Sequence, residues 1–138
     1  MDLISRHGYD VIAHFGSVKV LNRIKKLSIE EGLKLINNCF FELDNIIYKV
    51  SEDRLDCFFH KGVVCAGCNI TASFFAIEKV LFDPCNKITL NLYGLKDGKE
   101  RYFTKDHIIP KSKNGSDTLS NYQPMCWECN ALKGNKLI

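Results

Sequence analysis

Two cysteine pairs, with a run of acid, imidazole and amide side chains leading into the second, are where this chain could do chemistry. The pairs are Cys65-Ala66-Gly67-Cys68 and Cys126-Trp127-Glu128-Cys129. A Cys-x-x-Cys turn presents two thiolates from one tight loop, with glycine relieving the backbone. Two such turns can complete a tetrahedral site of four sulfur ligands, the set that zinc favours. Cys65, Cys68, Cys126 and Cys129 are therefore the expected ligands of a structural Zn2+. Enclosed by four protein ligands, that ion would be closed to substrate; it would neutralise thiolates and clamp distant segments of a small core. The alternative is a redox-active pair, but the chain lacks the βαβ pattern of a thioredoxin-like protein.

The chain has seven cysteines in all. That odd number, without a leader for secretion, argues against a disulfide framework. Cys39, Cys57 and Cys85 have no ligand-like spacing and are expected to be buried, inert thiols. His7, His14 and His60 lie apart from the pattern below and are expected to have surface or core roles.

The most informative stretch runs from Thr104 to Gly134. An Asp106-His107 pair ends a predicted strand, Pro110 follows closely, and a polar loop covers 111–117. Asn121 comes next, and the second cysteine turn runs into Asn130 and Lys133. These residue types suit metal-assisted hydrolysis. An imidazole with an ordinary pKa near 6.5 can take a proton from water at neutral pH. A hard divalent cation on oxygen ligands can neutralise phosphate and assist the leaving oxygen.

This ordered set resembles the HNH endonuclease signature of the ββα-metal (His-Me finger) superfamily, in its zinc-knuckle, phage-like form. The elements that match are Asp-His, an early proline, a glycine-containing loop, a central Asn, and Cys-x-x-Cys followed by Asn and then Lys. With Cys65 and Cys68 the resemblance covers about residues 56–138. It implies His107 as general base, Asp106 and Asn130 as ligands of a catalytic Mg2+ or Mn2+, and Asn121 as the residue that ties down the loop and orients the histidine. It also implies 5′-phosphate and 3′-hydroxyl products. Asn130 stands where the eponymous pattern has a histidine, so the ion gains a neutral oxygen ligand. From charge and position, Lys111, Lys113 and Lys133 are expected to contact DNA phosphates.

The elements that must position these residues read as follows. Ser17 predicts a helix over 18–27, where Val18, Leu21, Ile24 and Leu27 step by three. Ser28 with Glu31 predicts a capping box and a second helix. An extended pair spans 40–50 with a turn at Asp44-Asn45, and Ser51 is expected to cap a short helix that runs to Lys61 and stops at Gly62. Residues 71–82 and 88–95 read as strands, and Asp97-Gly98 as a hairpin turn into 100–105. A short extended piece at 122–125 and a last helix from Trp127 complete the chain. Neighbours on a regular strand face opposite sides, so Asp106 and His107 can reach one site only if pairing ends or bulges there.

The expected fold class is thus α+β: a ββα-metal (HNH) finger braced by four cysteines, over 56–138, with a mainly helical N-terminal segment over 1–55. Net charge is only +3, but residues 99–138 carry seven basic against four acidic side chains, where a polyanion would bind. DNA is the expected partner, and a homodimer is one option. No apolar run is long enough for a membrane span, and the N-terminus is not laid out as a signal peptide. A cytoplasmic location is expected, that of a bacterial host if the chain is phage-encoded. The alternative function is a catalytically silent, zinc-dependent nucleic-acid-binding module.

Overall fold

The computed structural model describes residues 10–13, 18–80 and 87–136. Its main sheet has the strand order β1-β2-β5-β6-β7-β8. The strands are Asp10–Ala13 (β1), Val18–Leu27 (β2), Ala72–Val80 (β5), Ile88–Lys96 (β6), Lys99–His107 (β7) and Tyr122–Cys126 (β8). A separate hairpin joins Phe40–Leu43 (β3) to Ile46–Lys49 (β4). Among the described residues, three α-helices pack on this frame: Ile29–Asn38 (α1), Asp53–Lys61 (α2) and Trp127–Lys133 (α3). Among the described residues no helix is long and apolar enough to cross a membrane.

Residues 18–27, predicted helical, form a strand. The register of β2 on β5 slips between Arg23 and Lys25. Before the slip Leu21 pairs with Val80 and Arg23 with Glu78; after it Leu27 pairs with Phe75. Paired residues share a face, so the bulge around Ile24 turns Leu21 and Leu27 to opposite sides of the sheet. Both are buried while Ile24 is exposed. The described part of the N-terminal segment therefore holds more strand than helix.

Helix α1 begins as expected. Ser28 Oγ accepts from the Glu31 N–H, and Glu31 Oε1 accepts from the Ser28 N–H. It ends at Cys39, which has a φ of 68° and is exposed, against the expectation of a buried thiol. Gly32 presses on Phe75: a Cβ there would lie 2.1 Å from a ring carbon. Helix α2 starts one residue later than expected, with Glu52 at its N-cap and no side-chain cap. Cys57 is fully buried, and burial pushes its thiol up to about 11. His60 is exposed; His7, His14 and Cys85 lie outside the described residues.

The larger core packs α1, α2 and the β3–β4 hairpin on one face of the sheet. Leu27, Ile36, Phe41 and Val50 share it with Phe75, Phe103 and Cys126. On the other face the buried Glu78 is fully satisfied, by Arg23 Nε at 2.8 Å and by Asn91 Nδ2 and Tyr93 Oη at 2.6 Å. Between β6 and β7, Asp97 and Gly98 both have positive φ, the geometry of a two-residue hairpin turn.

Strand β7 is the element that carries the site. Its first part, Lys99 to Tyr102, pairs with β6, and its second part, Phe103 to His107, pairs with β8. Its pairing with β6 ends at Tyr102, and α3 packs against both β7 and β8. Pairing to β8 runs without a register shift through both Asp106 and His107, so there is no bulge at the pair. It ends with His107, after which Ile108 and Ile109 lead to Pro110.

Candidate active site and metal centre

Cys65, Cys68, Cys126 and Cys129 place their sulfur atoms within 4.8 Å of one another. Four sulfurs about 2.3 Å from a zinc ion stand about 3.8 Å apart, so a small inward movement closes the set. The backbone holds it ready. Cys65 Sγ accepts from the N–H groups of Gly67 (3.3 Å), Cys68 (3.5 Å) and Cys126 (3.3 Å). The Ala66 N–H donates to Pro124 O at 2.9 Å, tying one turn to the strand that leads into the other. Gly67 has to be glycine: a Cβ there would lie 2.6 Å from Cys129 Cβ and 2.9 Å from its sulfur.

The four thiols are not equivalent. Burial pushes Cys65 up, but the three N–H donors outweigh burial and bring it down to about 7. Cys126 and Cys129 are raised, chiefly by burial. Arg101 places a guanidinium nitrogen 3.6 Å from Cys126 Sγ, a cation beside sulfurs that become anionic on binding a metal. The donor set fits a soft, tetrahedral ion, and the cluster is consistent with a zinc site.

A second group of residues surrounds a hollow of about 260 Å³ bordered by Asp106, His107, Lys111, Asn130 and Gly134. Asp106 comes from β7 and Asn130 from α3, where it follows the last cysteine directly. Asp106 is 4% exposed. Its Oδ2 accepts from Gln123 Nε2 at 2.9 Å and lies 3.2 Å from Lys133 Nζ. Its Oδ1 has only a 3.5 Å contact to the same ammonium. Asn130 Nδ2 donates to Thr104 Oγ1 at 2.8 Å, and that hydroxyl donates its single proton to Met125 O at 2.7 Å. Thr104 must therefore accept from Asn130, which fixes the amide nitrogen on that side and turns the amide oxygen away from it. Two oxygen donors with room for water suit a hard, hydrated divalent cation better than a soft one.

The loop after the strand is clasped by Asn121. Its Oδ1 accepts from the Ile109 N–H at 2.9 Å, and its Nδ2 donates to Ile109 O at 3.0 Å and Ser116 O at 2.9 Å. Gly115 lies under the same turn, where a Cβ would collide with Ile109 O. His107 stands beside the clasp. Its Nε2 lies 2.7 Å from Asp117 Oδ1, and its ring meets Tyr122 edge-on at 5.1 Å between centroids. Hydrogen bonds to His107 and then Lys111 hold the exposed Asp117 carboxyl below its usual range.

Residues 94–136 match the family model of the HNH endonuclease. Neither the curated proteins nor the solved structures gave a match. The HNH segment is about a third of the chain and takes in β7, β8 and α3, with Asp106, His107, Asn121 and Asn130. It contains Cys126 and Cys129 but not Cys65 and Cys68, so half of the thiol cluster comes from outside it.

Lys133 is where the structure corrects the sequence reading. Expected at a phosphate, it is 2% exposed, and its ammonium is committed to Asp106 and to His107 O at 2.8 Å. Lys111 and Lys113 are exposed, and Lys111 Nζ lies 3.1 Å from Asp117 Oδ2. Sequence reasoning missed Asp117, Gln123, Thr104 and Arg101. Each lies within the informative stretch or beside it, but their partners are paired by strand register and loop path, and no spacing in the sequence announces them.

Proposed function

We propose that this protein is a metal-dependent endonuclease that hydrolyses DNA phosphodiester bonds at the hollow between β7 and α3. The observation that supports this most is that Asp106, His107 and Asn130 all line one hollow inside the segment that matches the HNH family model. A DNA-binding module without chemistry has no need of that trio.

His107 is the general base. It takes a proton from water, and the backbone next to it is held by Lys133 on its own carbonyl and by the Asn121 clasp on Ile109. Asp106 Oδ1 and the Asn130 amide oxygen would hold a Mg2+ or Mn2+ ion, which when bound supplies charge neutralisation on the phosphate and at the leaving oxygen. Gln123 and Lys133 fix the orientation of the Asp106 carboxylate. Lys111 and Lys113, exposed along the loop, provide cations for flanking phosphates. The four cysteines would hold a structural zinc, which when bound would keep α3, and so Asn130, against β7.

The test is cleavage of supercoiled plasmid by the purified protein with Mg2+ or Mn2+, beside a His107→Ala variant shown to keep its zinc. The wild type should cut and the variant should lose on the order of 10²-fold or more in rate. DNA binding without cutting, over a range of metals and substrates, would replace this reading with the silent binding module. Equal cutting by both proteins would remove His107 from its role.

A further inference from the structure

Asp117 is one of the groups in this site to which neither the sequence pattern nor the family match gives a role. Its Oδ1 is 2.7 Å from His107 Nε2, a length usual for a charge-assisted hydrogen bond. A carboxylate can only accept, so the proton in this bond is on Nε2. Its other oxygen, Oδ2, lies 3.1 Å from Lys111 Nζ. The ring is further held by its edge-on contact with Tyr122, at 84° between planes.

The position of Asp117 is built into the loop. On one side Ser116 O accepts from Asn121 Nδ2, and on the other Thr118 Oγ1 links Ser116 Oγ at 2.8 Å to Ser120 Oγ at 3.0 Å. The clasp that fixes the loop thereby also fixes the carboxylate facing His107. A surface ion pair with one partner 55% exposed contributes little to stability, so its value has to lie in orientation.

We propose that Asp117 is a positioning residue for His107, holding the imidazole by Nε2–H and so leaving Nδ1 as the nitrogen that accepts the proton of water. This rests on the nuclease reading above. In the step, a water O–H bond breaks and its proton goes to Nδ1. The oxygen forms a bond to phosphorus while the bond to the leaving oxygen breaks, and that oxygen takes a proton from solvent. The imidazolium keeps Nε2–H on Asp117 until it returns the Nδ1 proton to water.

The experiment compares wild type, Asp117→Ala, Asp117→Asn and His107→Ala in plasmid cleavage, together with nitrogen-15 NMR of the His107 ring in its neutral form. Wild type should show the Nε2–H tautomer. Asp117→Ala should lose that preference, with kcat down on the order of 10- to 100-fold and KM little changed. Asp117→Asn keeps an oxygen acceptor and should restore both the tautomer and most of the rate. If wild type cleaves and Asp117→Ala retains both its rate and the tautomer, the positioning role is overturned while the nuclease reading stands. A shifted tautomer with an unchanged rate overturns it equally. A wild type that cuts nothing overturns the nuclease reading, and this role with it.

Discussion

Lys133 Nζ lies 3.2 Å from Asp106 Oδ2, and the two side chains are 2% and 5% exposed. The pair joins the last turn of α3 to the end of β7, and Lys133 adds a second tie through His107 O. Breaking a buried pair by removing one partner leaves a largely buried charge without its counter-ion. Lys133→Met, close in volume, should therefore destabilise the protein by about 3–5 kcal/mol, as read by denaturant unfolding. A change below about 1 kcal/mol would mean that Asp106 is already compensated by other groups.

Asn121 makes three hydrogen bonds across the loop, two of them to Ile109. Asn121→Ala should cost roughly 2–4 kcal/mol at about 1 kcal/mol for each bond, plus the exposure of Ile109 O and Ser116 O as unpaired acceptors. Asn121→Asp should be at least as damaging, since an oxygen would then face two carbonyls. Thermal unfolding of the two variants side by side checks the order.

Gly67→Ala should weaken metal retention. The added Cβ would meet Cys129 at 2.6 Å, so the two cysteine turns have to move apart. Competition with a chelator should strip the variant faster than wild type, and the metal-free form should lose about 1–3 kcal/mol from overpacking. Equal retention would show that the turns approach less closely in solution.

The thiols predict a pH dependence for the metal-free protein. Cys65 is lowered to about 7 from an ordinary value of 9.0. A group depressed on folding stabilises above its unfolded value and loses that contribution as pH falls through the folded value. Stability should thus rise between about pH 7 and 9, by at most about 1.4 kcal/mol per pH unit for the single proton. Above that window the sign reverses, because Cys126 and Cys129 are raised and resist ionising in the folded state. Unfolding curves at stepped pH, with thiolate absorbance followed in parallel, measure both limbs; a flat profile from 7 to 9 would contradict the assignment.

What the sequence made legible was local or pairwise. The Ser28–Glu31 box, the Asp97-Gly98 turn and the two Cys-x-x-Cys turns each carry their signal within a few residues, and the structure has all of them. The strand at 18–27 was not legible, because its bulge converts alternation into a step of three that imitates a helix. Lys133 was misread for a related reason. A lysine on a short helix looks solvated until strand register places a buried carboxylate beside it. The same holds for Asp117 and Thr104, whose partners are ten and twenty-six residues away.

Cys129 and Asn130 are consecutive on α3, one facing the sulfur cluster and the next bordering the hollow. No insertion can separate them without breaking that helix, so the sulfur cluster and the border of the hollow are mechanically tied. A sulfur cluster that loosened would therefore displace Asn130 along with Cys129.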